Sequence, residues 1–542
     1  MKNRLFSEKY IEKVGRRNSV VYRCFTPDPA QAMIFGSGAA GGTMHTPDDS
    51  VYLLLGRCDN WTGNNRHGSI AGVRLRGSKG LFTRARSVRQ VCDLFEARIY
   101  IYIDTGRGKL TIELTAIRGK DLVLLDISDK RSDPKPFTIT LENWHTGDET
   151  SANDSLLRTV HINRDSVFND YNRRVGLEPE DTKDIQDPLL GRAWGAFVKA
   201  LGAQAAGNNS LELKANARQR ILIALPGCAP ASGVDTLADV EKQGKAWVEI
   251  PEAKLKSWLN EHEVYWKDFW SKSFIDLESG TGDAEYEERL WYVTQYSIAC
   301  AAGGGMPPRF NGAHYLLNKD ERSWDPEYVF QNMREVYWPL FAAGRWQFIT
   351  EFFDLYFKTS DFVRRQTKKL FGLDGLIFRE GFTIWGACVG INLREQDEKK
   401  RKNIFVSNYF SGNLELCLLM EWYYLASGDG KFLKEIFYPL LREILAAYRQ
   451  YARKGADNKY HLEPDNAAET WSSVRDSMPD ICGLRHFLPR ALEWGKRFSA
   501  SAELLSAWQE FYDNLAPVPV GRWTITRKYI DGIHDQEFMT AS

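Results

Sequence analysis

The stretch Glu252–Leu277, EAKLKSWLNEHEVYWKDFWSKSFIDL, is where the chain changes its rhythm. At about 100° per residue it reads as one amphipathic helix, whereas the residues before it alternate with a period of two. From about Val20 to Gly227, runs such as SVVYRCF, VYLLLGRC, ARIYIYID, KLTIELTAI and RILIALPG are rich in β-branched and aromatic residues and separated by turn residues. Many short strands with little helical pattern between them predict a large antiparallel β-sandwich. Helical periodicity begins near Thr236 and dominates after Leu277. Segments that open near Asp283, Pro326, Arg345, Asp361, Ser407, Lys431, Pro479 and Ser501, with short connections, read as antiparallel helix pairs stacked in sequence. The expected organisation is a β-sandwich domain over 1–235, a helical linker over 236–282 and an all-α domain over 283–542.

Composition excludes several classes of function. The 542 residues carry 71 basic and 71 acidic side chains, and the longest basic run is the short EKKRKN at Glu398–Asn403, so neither nucleic acid nor an anionic membrane is an expected partner. The N-terminus lacks an apolar signal core and no run of about 18 apolar residues follows, which makes cytoplasmic the default expectation. Eight cysteines are scattered without a CxxC pair or a histidine at ligand spacing, so neither structural zinc nor a disulfide scaffold is expected; no metal and no cofactor is called for. There is no GxSxG, HExxH, phosphate loop, or GxGxxG after a strand. The 17 Trp, 23 Tyr and 29 Phe serve core packing, and such a stock of flat rings also suits a protein that stacks on sugars.

Within the helical half, Tyr328–Gly344 (YVFQNMREVYWPLFAAG) places Val329, Met333, Val336, Tyr337 and Leu340 on one face and leaves Trp338 on the polar side. Pro339 frees the carbonyl of Glu335, so this helix must kink or end there. Trp338 is read either as the wall of a cavity or as a contact packed against the β-domain. Four polar stations lie near helix ends or loops: Asn332 with Glu335; Glu380 in LIFREGFTIWG with Trp385; Asn408, Asn413 and Glu415 in NYFSGNLELC; and Asp465, Asn466 and Glu469 in LEPDNAAETW with Trp471. Glycoside cleavage needs these types: an acid for the leaving oxygen, a group to orient or deprotonate water, and aromatic platforms. Glu335 and Glu415 read first as caps or solvated charges. Glu380 and Glu469 sit in apolar, aromatic loops, where solvation explains them poorly.

The order of MIFGSGAAGGTMH, LLLGRCDNWTGNNRHG, DPLLGRAWGA, HEVYWKDFWSKSFI, PPRFNG, QNMREVYWPLFAAG, GNLELC and EPDNAAETW resembles the six-hairpin glycosidases, in particular the α-L-fucosidase type of glycoside hydrolase family 95 and its relatives. The resemblance implies a β-supersandwich joined to an (α/α)6-type barrel, and an inverting glycosidase acting on an oligosaccharide. It implies Glu469 as general acid, where the fucosidases carry the Glu of an SPE motif, and Asn332 as the amide that positions water. Phe330 stands where those enzymes have a first amide. An amide cannot take up a proton at neutral pH, and the later DGNFG-like segment that supplies the base in relatives is not found, so Glu380 is the substitute candidate. Trp338, Trp385 and Trp471 would be sugar-facing walls, with Asn311, Gln331 and Glu415 as further substrate contacts.

Eight helices do not make six pairs, so the barrel is expected to be incomplete at its C-terminus, leaving an uncovered helical face open to self-association. The competing expectation is a non-catalytic carbohydrate-binding protein that has lost part of the site. A polysaccharide lyase would need a Tyr/His pair and a basic pocket for a uronate, and the sequence displays no such concentration.

Overall fold

The computed structural model describes residues 7–324, 327–467 and 471–518. They form an N-terminal antiparallel, sandwich-like β-region followed by an (α/α)6-type helical bundle. Two compact units divide the chain, one built from Met1–Phe168, Gln186–Pro326 and Asn332–Leu355, the other from Asn169–Ile185, Glu327–Gln331 and Tyr356–Ser542.

In the first unit a ten-stranded sheet runs in the order Val20–Tyr22, Ser87–Asp93, Arg98–Asp104, Gly108–Ala116, Leu122–Arg131, Arg218–Ala224, Ala193–Ala200, Leu156–Ile162, Glu149–Asn153, with Gly227–Cys228 beside Ala193–Ala200. A seven-stranded sheet runs Gln204–Ala205, Ser210–Leu213, Phe137–Glu142, Ala71–Arg76, Ser50–Arg57, Ala40–His45, Met33–Gly36. The alternation is literal in Arg98–Asp104, where Ile99, Ile101 and Ile103 are buried while Tyr100 and Tyr102 stack on each other outside, 5.9 Å apart. Ala40–His45 (AGGTMH) is a strand that β-propensity does not announce. Its glycines are there for closeness: a Cβ on Gly42 would lie 2.0 Å from the Leu54 carbonyl oxygen of the neighbouring strand.

The helical linker is two helices, Thr236–Val248 and Glu252–Lys272, parted at Pro251. The first lays Val240 and Val248 on a core of Leu122, Leu124, Phe197 and Leu222. The second buries Leu255, His262, Trp266, Phe269 and Trp270, and the Trp270 indole donates to the Leu94 carbonyl at 2.9 Å. It stops at Lys272, short of the Leu277 that periodicity suggests. His262 is clamped neutral, its Nδ1 accepting from Arg118 N–H at 3.1 Å and its Nε2 paired with the Glu96 carbonyl at 2.9 Å; burial pushes its pKa down to about 4.

The helical half departs from its expected boundaries in places. Asp361 does not open a helix: a short 3-10 turn, Trp346–Ile349, runs into one helix, Thr350–Phe371, that passes through it. The start expected near Pro326 lies outside the described residues, and Phe330–Ala342 continues through Pro339 for three more residues. In Asp283–Ala301 the buried side is Glu288, Tyr292, Gln295, Tyr296 and Ala299. Glu288 can be buried because Arg17 and Asn18 hold its carboxylate, Arg17 Nη2 at 2.7 Å.

In the second unit, Ser411–Ser427, Tyr438–Tyr451, Met478–Arg497 and Ala502–Asp513 are the longer helices after Phe371. Between them a two-stranded hairpin, Asp465–Ala467 with Trp471–Val474, rests on a buried pair of carboxyl groups. Both Asp465 oxygens accept backbone N–H groups, from Asn466 at 2.8 Å and Ser477 at 3.0 Å. Asp480 accepts from the hydroxyls of Tyr448 and Ser477, the latter at 2.7 Å. Burial, and for Asp465 then the charge of Asp480, raises both above the usual carboxylate range, so the pair holds a proton at neutral pH. The amide donors on Asp465 cannot reverse, whereas hydroxyls can donate or accept, so Asp480 is the better home for a neutral side chain.

Two outcomes follow. A Cβ on Gly244 would lie 2.3 Å from the Phe197 ring, so Gly244→Ala should destabilise the chain by roughly 1–3 kcal/mol in urea unfolding despite the better helix propensity of alanine. For the carboxyl pair, raised folded-state pKa values mean stability is complete below the unfolded value near pH 4 and declines as pH rises. Asp480→Asn should therefore flatten the fall of melting temperature between pH 5 and 9 and raise it at the alkaline end; an unchanged slope would remove the pair as its cause.

Candidate active site

The segment Leu376–Gly386 (LIFREGFTIWG) leads through the short strand Gly381–Phe382 into a turn at Thr383–Gly386, with Leu376, Ile377 and Phe378 buried. Asn413, on the first turn of Ser411–Ser427, fixes it: its Oδ1 accepts from Phe378 N–H at 2.8 Å, and its Nδ2 donates to the carbonyls of Phe378 at 3.0 Å and Phe410 at 2.8 Å. Three residues after Phe378, Gly381–Phe382 pairs antiparallel with Tyr328–Val329. Gly381 must lack a side chain there, because a Cβ would stand 2.6 Å from Val389 Cγ2.

This leaves Glu380 3% exposed at the start of the helix Phe330–Ala342. Its backbone carbonyl accepts from Phe330 N–H at 2.8 Å and its Oε1 from Gln331 N–H at 2.7 Å. Amides of a first helical turn carry partial positive charge and favour the ionised carboxylate. Glu380, Arg379, Tyr356, Tyr409, Phe330, Phe378 and Gly412 enclose a cavity of about 10 Å³, the room of one water molecule. Gly412 admits Phe330, whose Cδ1 would be 3.1 Å from a Cβ at that position.

The surroundings are electrostatically asymmetric. Burial, reinforced by the negative charges of Glu380 and Glu415, pushes the Tyr356 phenol well above its ordinary range, so it is a neutral hydroxyl. The Arg379 guanidinium is buried beside the rings of Phe371 and Phe410, at 5.3 and 5.9 Å, and gives one bond of 2.9 Å to the Val406 carbonyl. Burial lowers its pKa, and it has no ion pair among the described residues.

The other expected residues fall in different settings. Gln331 is half-buried beside Glu380 in the second unit, and Glu415 is half-buried on Ser411–Ser427. Asn332 is exposed and belongs to the first unit, as does Trp338, 39% exposed with Arg334 over its ring at 5.0 Å. On the same helix Met333, Tyr337 and Leu340 are fully buried, the face that periodicity assigns to the core. Asn311 is a loop tie, donating to the Ser323 carbonyl at 2.6 Å and accepting from Arg322. Trp385 departs from its expected role as an open wall: it is 4% exposed, edge-on to Tyr171, and its indole donates to Asn172 Oδ1 at 3.0 Å. Trp471 is half-buried at the start of its strand, and Glu469 lies outside the described residues.

The sequence singles out neither Tyr356 nor Arg379, and it gives Asn466 no role of its own. Tyr356 is hidden in FFDLYF, which reads simply as an apolar helix face, and Arg379 reads as a solvated charge. Asn466, named only for its place near Glu469, is a tether whose Nδ2 donates to the carbonyls of Ile404 and Phe405 at 2.8 and 2.9 Å while its Oδ1 accepts from Ser473 N–H at 3.0 Å.

The Glycosyl hydrolase family 95 catalytic domain matches residues 269–537. Among solved structures, the chain is similar to one described as "Putative kojibiose phosphorylase from human microbiome", with 11% identity and a TM-score of 0.60 over 92% of this chain and 70% of that one. It is also similar to a bacterial glucoamylase complexed with acarbose, with 10% identity, a TM-score of 0.40 and 92% and 70% covered. A family GH92 α-mannosidase from Bacteroides thetaiotaomicron gives 10% identity, a TM-score of 0.32 and 90% and 61% covered. No curated protein matches the sequence. At such identities the first of these likenesses speaks for the fold, and the family match adds the lineage. The chain belongs to the six-hairpin glycosidase superfamily, related to the glycoside hydrolase family 95 catalytic domain, and fold and family together support a glycoside hydrolase.

Proposed function

We propose that the chain cleaves a glycosidic bond of an oligosaccharide with inversion, using Glu469 as general acid, Asn332 to orient the attacking water and Glu380 as the base. The observation that carries this reading is the setting of Glu380: a buried carboxylate with Oε1 fixed by an amide at 2.7 Å, facing a space of about 10 Å³. A carboxylate held in one orientation beside room for a single water is what general-base activation requires. Trp338 and Trp471 supply ring faces for sugar, and Gln331, Glu415 and Asn311 polar contacts; packed Trp385 acts on the site through the 380–386 segment.

The second reading, a non-catalytic carbohydrate-binding protein, is favoured by one observation. Phe330, at the position of an amide in the related enzymes, is 2% exposed and edge-on to Tyr356 at 6.4 Å, so an aromatic core contact occupies that place.

Substitution separates the two. Glu469→Gln should lower kcat by a factor of about 10²–10⁴ while sugar affinity stays within twofold; equal turnover by this variant and the parent would remove Glu469 as the acid. Glu380→Gln keeps an acceptor for Gln331 N–H and loses the charge, so kcat should fall by a similar factor with little change in melting temperature. Glu380→Ala loses the helix cap as well and should cost about 1–3 kcal/mol of stability. If Glu380 were only a cap, the Gln variant would turn over as the parent does and the Ala variant alone would suffer.

A further inference from the structure

A second hollow of about 450 Å³ opens in the same compact unit, beside the short strand Gly381–Phe382 that follows Glu380. Its walls include Glu327 and Val389, the two side chains nearest to a Cβ on Gly381. Three chain segments frame it. Ile391 and Lys402 form an antiparallel bridge, Asn403 N–H donates to the Gly390 carbonyl at 2.8 Å and Asn392 N–H to the Arg401 carbonyl at 2.8 Å. Leu393 N–H donates to the Arg174 carbonyl at 2.7 Å, which brings the Asn169–Ile185 segment against this ladder.

The framing places Arg174, Lys400 and Lys402 in one lining with a single carboxylate, Glu327. Arg174 is held in place by Asp170, at 2.7 Å, and lies over the Tyr171 ring at 4.3 Å. Lys400 has only a loose ion pair with Asp397 at 3.7 Å, and Lys402 has none among the described residues. Asn392 and Asn403 add donors, because each amide oxygen already accepts a backbone N–H, from Arg394 at 3.2 Å and Phe405 at 3.0 Å, leaving the NH2 ends. The basic concentration that the sequence failed to display is therefore assembled by the fold, from EKKRKN and an arginine far earlier in the chain.

From this we infer that the hollow binds the acidic substituent of a glycan, a uronate carboxylate or a sulfate ester, so that the substrate of the proposed hydrolase is an acidic oligosaccharide. The inference rests on the glycosidase reading for the sugar and on the cavity's donors for the charge. Exposed lysines act through screened attraction, so the preference falls with ionic strength, while a geometric fit of neutral sugar would not.

The test measures binding by calorimetry, and release of reducing sugar, on the full chain with three oligosaccharides of equal length: uronate-containing, sulfated and uncharged. Inorganic phosphate is a fourth probe. The expected result is at least tenfold tighter binding of one acidic oligosaccharide than of the uncharged one in 50 mM salt, shrinking severalfold in 500 mM. Lys402→Glu and the double variant Lys400→Ala with Lys402→Ala should lose that preference by about fivefold to tenfold, and Lys402→Arg should restore most of it. Which acidic arm wins names the substituent. Equal affinity for acidic and uncharged sugars, or an equal loss for both in the lysine variants, overturns the inference and leaves the glycosidase reading standing. Tight phosphate binding that the oligosaccharides do not displace also overturns it, as a free-anion site. Failure of every oligosaccharide to bind or be cut removes the glycosidase reading, and this inference with it.

Discussion

A carboxylate taken out of water must be met by donors, and at Glu380 that requirement organises the neighbouring chain. The Gln331 amide at 2.7 Å and the Phe330 amide on the Glu380 carbonyl set where the helix Phe330–Ala342 begins. Burial of an ionised group without such partners costs several kcal/mol. Asn413 clamps Phe378, two residues before Glu380, through both its N–H and its carbonyl, so the carboxylate cannot drift away from the helix it caps. The same contacts that satisfy the charge also preorganise it, which is what a base acting on one water needs.

The fold was legible where local pattern and burial coincide. Arg98–Asp104 alternates in sequence and in burial, and Trp266, Phe269 and Trp270 follow the helical stripe of the bridging segment. It was obscure where a distant neighbour dictates the residue. The glycines of Ala40–His45 depress strand propensity, yet the Leu54 carbonyl leaves no room for anything larger. In Asp283–Ala301 the acid Glu288 lies on the buried side, which local pattern does not announce, because its partners Arg17 and Asn18 come far earlier in sequence. The segment start expected near Asp361 is absent, because the helix that contains it is sustained by Phe352, Phe353, Tyr356, Phe362 and Val363 packed in the interior.

At the site, residue type was readable and partnership was not. Glu380 stood out as an acid among aromatics, and the amides Asn413 and Asn466 sat near the right loops, but nothing local says that each ties down a remote backbone. Trp385 had the right chemistry for a sugar platform and lost it to Asn172, which takes its indole N–H. Tyr356 lines the cavity as a neutral phenol although the helix that carries it reads as pure core. Arg174 and Lys402 share a lining solely through the bridge of Ile391 with Lys402 and the bond from Leu393 to Arg174.

The two strands of the hairpin Asp465–Ala467 and Trp471–Val474 flank Glu469 in the sequence, and the first of them begins at one member of the buried carboxyl pair. Ionisation of that pair on raising the pH puts two like charges side by side where water cannot reach. The alkaline limb of a rate profile would then contain a step that belongs to scaffolding. A kinetic pKa taken from that limb would report when the support of these strands gives way, and a titration curve assigned to a reacting group would describe this pair of aspartates instead.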